Sequence, residues 1–242
     1  MRLPNGVELT REYRIAVSPS AEMGTVPADF SLANRDSLNA FSPELKLDRS
    51  EQAVFGKPSE IASIQEAHFW GGPAELSGSF RLGGNENALY IAARVRDVKF
   101  RLPRVWPGVL GSSVELFFDF RTPAEGLGKP EYTSNVFQFL ILPPKESGTA
   151  PQFWCPQLPE LTAQAVQLRG DRLDDGYWLT LEIPWTRVRP DGMRPVRFGF
   201  DAAVNGSFGD RDERKTQLMM FGTMQNFRDA SKFGMILKKE EK

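Results

Sequence analysis

The residues best placed to do chemistry lie in one strand-like run, Val114 to Phe120, where Glu115 and Asp119 alternate with apolar neighbours. A period of two puts both carboxylates on one face, about 13 Å apart at roughly 3.3 Å per residue. That is wider than the roughly 5 to 9.5 Å between the paired carboxyls of glycoside hydrolysis. His68 is the only histidine, so a Ser-His-Asp relay has nothing further to support it. The chain contains no G-x-S-x-G, no H-E-x-x-H, no phosphate-binding glycine loop and no cysteine cluster. These features point to binding rather than catalysis. Asp and Asn in the loops could hold a structural calcium ion, but they show no ordered ligand spacing of the EF-hand kind.

Composition narrows the partners. Thirty basic and thirty-one acidic side chains leave a formal charge of −1, so the broad basic field expected of a nucleic-acid binder is missing. No apolar run reaches the roughly eighteen residues needed to cross a bilayer, which argues against a membrane partner. The start, Met1 to Glu8, lacks the apolar core of a signal peptide. A single cysteine, Cys155, excludes an internal disulfide framework and reads as a buried structural thiol.

The elements that must position Glu115 and Asp119 read as strands. Leu89, Ile91, Ala93 and Val95 alternate with Tyr90, Ala92, Arg94 and Arg96, and Tyr177 to Ile183 repeats the pattern. Further strands are expected near residues 76–82, 134–142, 162–169, 196–204, 216–221 and 232–238. About nine antiparallel strands without helical periods predict an all-β, two-sheet β-sandwich of jelly-roll or immunoglobulin-like kind, in a single domain. Residues 41–242 are expected to form this sandwich. Residues 1–40 form an irregular N-terminal arm or edge addition, with a possible strand over Glu8–Val17 and a connector over Ser18–Pro27. Gly83–Asn87 and the segment from Arg169-Gly170-Asp171 to Asp174-Asp175-Gly176 read as turns. So does Asn205-Gly206-Ser207, which is also a formal glycosylation acceptor.

Several segments in a fixed order resemble a family 9 carbohydrate-binding module. Gly111-Ser-Ser-Val-Glu-Leu-Phe-Phe-Asp119 is similar to that family's D-S-V-E-I-F-x-D strand. Phe227-Arg-Asp-Ala-Ser-Lys-Phe-Gly234 is similar to its closing W-R-D-P-S-K-F-G. Trp70 to Ser79 leading to Ala88–Asp97, Gly176–Trp185, and Phe198–Asn205 resemble three more of its segments. The resemblance covers roughly residues 40–240.

It implies a non-catalytic module, often attached to glycoside hydrolases, that holds a sugar between two aromatic rings. Residue by residue, one ring corresponds to Trp106, in a Trp-Pro-Gly loop, and the other to Phe227, where the family has tryptophan. Glu115 matches the family's acidic hydrogen-bonding residue. The family's Arg and Asn on the next strand fall at Gln138 and Leu140, and its Asn before the second ring falls near Met224, with Asn226 close by. Trp106, Phe227, Glu115, Gln138 and Asn226 are therefore the expected ligand-binding set, with no catalytic residue. Trp70, Trp154, Trp178 and Trp185 read as core or loop anchors. The implied partner is a carbohydrate, and the resemblance suggests an extracytoplasmic setting that the start of the chain does not display.

Two other readings use the same fold. The rewritten polar residues suit a protein-interaction module that has lost the sugar site. Related sandwiches hold haem between His and Met, and here His68 with Met219, Met220 or Met224 could supply axial ligands.

Overall fold

The computed structural model describes residues 19–55, 70–105, 111–207 and 214–238. These residues form a β-sandwich of thirteen strands with one short α-helix, α1 (Trp185–Val188), and two single-turn 3-10 helices. The first sheet contains β3 (Ala53–Phe55), β6 (Ser113–Asp119), β7 (Val136–Leu142), β8 (Gln152–Trp154), β11 (Arg197–Ser207), β12 (Arg214–Met219) and β13 (Gly234–Lys238). Its order runs β8-β7-β6-β11. On the far side of β11, β13 pairs with the first half and β12, followed by β3, with the second half. The second sheet runs β4 (Leu76–Gly84), β5 (Ala88–Asp97), β10 (Gly176–Pro184) and β9 (Arg169–Leu173), with β2 (Leu45–Leu47) on the outer edge of β4.

Strand β1 (Ser20–Thr25) joins the sheets. Ser20 to Met23 run parallel to β13, while Gly24 and Thr25 run parallel to β4. These are the two parallel ladders among the described strands. Part of the stretch expected to be a connector, Ser18–Pro27, is therefore a shared strand. Gly24 permits the crossing, since a Cβ there would lie 2.2 Å from the Phe41 carbonyl oxygen. The possible strand at Glu8–Val17 lies outside the described residues.

Alternation sorts each strand into a core side and an outer side. Val114, Leu116, Phe118 and Phe120 join Phe137, Phe139, Phe198 and Phe200 in the core between the sheets, and aromatic contacts such as Phe118–Phe139 at 5.0 Å fix the register. Glu115, Phe117 and Asp119 consequently face away from that core. Asp119 is fully buried on this outer side, paired through both oxygens to Arg121 and accepting the Gly128 amide at 2.9 Å.

Two expected turns are strands and one expected strand is a turn. Arg169-Gly170-Asp171 belongs to β9, and Gly170 is required there because a Cβ would approach the Trp178 carbonyl oxygen to 2.6 Å. Asn205-Gly206-Ser207 ends β11 with Asn205 fully buried, so its amide is out of reach of glycosylation. Residues 162–168 instead fold into turns closed by Val166 N–H to Thr162 O and Leu168 N–H to Ala163 O, with Gln167 at φ +41°.

Where β5 ends, burial pushes the Asp97 carboxyl up to about 6, although Ser112 Oγ donates to it at 2.5 Å. The unfolded chain titrates Asp near 3.9, so between those values the folded state binds the extra proton. Stability from this group is full below about pH 4 and lost as pH rises through 6. In chemical denaturation, wild type is expected to lose on the order of 2–3 kcal/mol relative to Asp97→Asn between pH 4 and pH 7. A flat difference across that window would disprove the assignment.

Candidate functional site

The outer face of the first sheet bears a carboxylate locked by amides. Glu115 Oε1 accepts from Asn205 Nδ2 and Gln217 Nε2, each at 2.8 Å, and Oε2 accepts from Gln138 Nε2 at 2.7 Å. A carboxylate can only accept, so each amide must turn its NH2 toward Glu115 and its carbonyl oxygen away. Asn205 Oδ1 then takes Arg214 Nη1 at 3.3 Å. Gln217 Oε1 is buried and meets no protein donor. Burial lowers the pKa of the Arg214 guanidinium, and the nearby Glu115 carboxylate opposes that shift. In effect Glu115 orients three neighbouring amides and directs their oxygens away from itself.

Above this floor lies a cavity of about 340 Å³, within the range usual for small-ligand sites. Glu115, Gln138, Gln217 and Arg214 form its polar part. Leu140, Trp154, Met219, Met224 and Phe227 form its apolar part.

The wall at residues 220–229 is held by one residue of β11. Asp201, fully buried, accepts the backbone N–H groups of Ala202, Met220 and Phe221 through Oδ1, and Gly222 N–H and Asn226 Nδ2, both at 2.6 Å, through Oδ2. Burial raises its carboxyl to about 6 against the pull of these donors. Gly222 fits because a Cβ would fall 2.2 Å from Asn226 Oδ1. Asn226 Oδ1 takes Thr223 N–H at 2.9 Å, and Tyr132 Oη donates to the Asn226 carbonyl. The turn so fixed presents Phe227 with 53% of its surface exposed.

Of the five residues expected to bind ligand, Glu115, Gln138, Asn226 and Phe227 line this one cavity. Trp106 lies outside the described residues. Asn226 needs correcting in role, because both atoms of its side-chain amide are engaged in holding the turn. Arg94 and Arg96, on β5 of the other sheet, pair with Asp175 rather than with Glu115. Sequence reasoning missed Gln217, Arg214 and Trp154. The signal for Gln217 was present in the alternation of β12, whereas nothing local marks Trp154, which stands in a three-residue strand.

Of the candidate haem ligands, His68 lies outside the described residues, Met219 and Met220 are buried, and Met224 is partly exposed at the cavity. Among the described residues no group of three or more His, Cys, Asp or Glu side chains converges as a metal site. No helix among them is long and apolar enough to cross a membrane.

Comparison with known proteins agrees with this architecture. The chain belongs to the carbohydrate family 9 binding domain-like family, whose model it matches over residues 48–240. Its fold is similar to that of a family 9 carbohydrate binding module from Caldicellulosiruptor kristjanssonii in complex with cellotriose. That likeness has a TM-score of 0.62 at 18% identity and covers 93% of this chain and 95% of the other. A family 9 module from the same organism in complex with glucose gives 0.60 at 17% identity, covering 92% and 97%. Among curated proteins none matches.

Proposed function

We propose that this protein is a non-catalytic carbohydrate-binding module whose ligand sits in the cavity over β6, β7 and β12. The observation that carries the reading is that the lining of that cavity divides between amide and carboxylate groups and the apolar Phe227, Met224 and Leu140. A pyranose has the same division: hydroxyls at its edge and C–H groups on its faces. Each buried hydroxyl left unmatched costs on the order of 1–3 kcal/mol, so the amide oxygens fixed by Glu115 favour a hydroxyl-rich ligand. Phe227 supplies one stacking surface, and Trp106 is the second ring implied by the family. Family membership also supports a role beside enzymes that degrade polysaccharides or glycosides.

The test is isothermal titration against a panel of neutral sugars that includes glucose and cellotriose. Binding is expected, with Phe227→Ala weakening it about tenfold, equivalent to about 1.4 kcal/mol, and Phe227→Trp tightening it several-fold through the larger ring. Wild-type protein that bound nothing on the panel would overturn the reading. So would a Phe227→Ala variant that bound every sugar as wild type does.

A further inference from the structure

We infer that Trp154 forms the platform of a second sugar subsite, so that the cavity is built for an oligosaccharide rather than a single ring; the inference rests on the carbohydrate reading above. Trp154 sits on β8, the edge strand of the first sheet, and its two neighbours fix which way it faces. Phe153 packs edge-on against Phe139 at 4.9 Å within the core, and Cys155 is fully buried. By alternation Trp154 must stand on the opposite side, where it remains partly exposed and lines the cavity. Its cross-strand partner is Leu140. That is the position at which the family resemblance expects a polar ligand-binding residue. At this edge of the cavity an indole stands beside an apolar Leu140, a surface that suits the face of a ring better than its hydroxyl edge.

Strand order supplies the length. From β8 through β7, β6 and β11 to β12 is roughly 19 Å at about 4.8 Å per strand, well beyond one pyranose. Gln217 and Arg214 lie on β12, at the other end of this span from Trp154, with Glu115 and Gln138 between them. A ring held at the β12 end, beside Arg214 and Gln217, leaves Trp154 for the next ring along the chain.

The experiment compares glucose with cellotriose on wild type, Trp154→Ala and Trp154→Leu, the last retaining apolar cover over Leu140 without a flat ring. Wild type is expected to bind cellotriose at least tenfold more tightly than glucose. Both variants are expected to bind glucose within twofold of wild type and to bind cellotriose no more tightly than glucose. The change in tryptophan fluorescence on adding cellotriose should shrink in both to the change that glucose gives, while Trp178→Phe keeps its full size. Variants that preserve the wild-type ratio, or a wild type that binds the two sugars alike, would overturn the second subsite while leaving the module a sugar binder. A wild type that binds neither overturns both. Should Trp154→Ala fail to fold, the Leu variant decides.

Discussion

Replacing Glu115 with leucine is expected to abolish sugar binding and to lower stability by about 3–5 kcal/mol, the usual cost of stripping a buried charge network of one member. Three amide NH2 groups, from Asn205, Gln217 and Gln138, would lose their acceptor in a region where Glu115 itself is 4% exposed. Each buried donor left unmatched costs on the order of 1–3 kcal/mol, and Arg214 would lose the carboxylate that opposes its desolvation. The amides would then be free to rotate, and the oxygens they direct away from Glu115 would no longer hold fixed positions. Glu115→Gln separates orientation from charge. The glutamine retains one accepting oxygen and turns an NH2 toward at least one of the three donors, so a smaller stability loss with a large binding loss is expected. Urea denaturation and titration with cellotriose check both. A Glu115→Leu variant within 1 kcal/mol of wild type would show that the network contributes little.

How far the sequence reached depended on the range of the forces involved. The alternation over Val114–Phe120 placed Glu115 off the inter-sheet core, because one strand's period settles which side chains face inward. Glu115, Gln138 and Phe227 were brought together by resemblance, not by any local rule, since the three are joined only through sheet order and a turn. Trp154 escaped notice because three residues are too few to display a period; its direction comes from Phe153 packing on Phe139, a contact between β8 and β7. Strand β1 was missed for a similar reason. Ser20 to Thr25 holds few apolar residues, and its pairing depends on β13 and β4, which lie far along the chain. For Asn226 the position was legible but the role was not, because its engagement with Asp201 depends on the fold bringing β11 beneath the 220–229 turn.

That engagement leads to the second large effect, on Asp201→Asn. An asparagine side chain at this position can still accept the Ala202, Met220 and Phe221 N–H groups through one oxygen, but its NH2 would confront Gly222 N–H and Asn226 Nδ2, both now donating at 2.6 Å. Two buried donors facing a donor should cost about 2–4 kcal/mol and loosen the turn that carries Met224 and Phe227, weakening sugar binding at least tenfold. The pair can be restored in reverse. In Asp201→Asn combined with Asn226→Asp, the new carboxylate accepts both the NH2 introduced on β11 and the Thr223 N–H that now goes to Asn226 Oδ1. Only Gly222 N–H stays unmatched, so the double variant is expected to regain at least half of the lost stability and most of the binding. This is a coupling that only directly interacting residues produce. Urea unfolding of the two single variants and the double variant, each titrated with cellotriose, measures it. Additive losses would mean that Asp201 and Asn226 act separately and that the turn is held by its backbone alone.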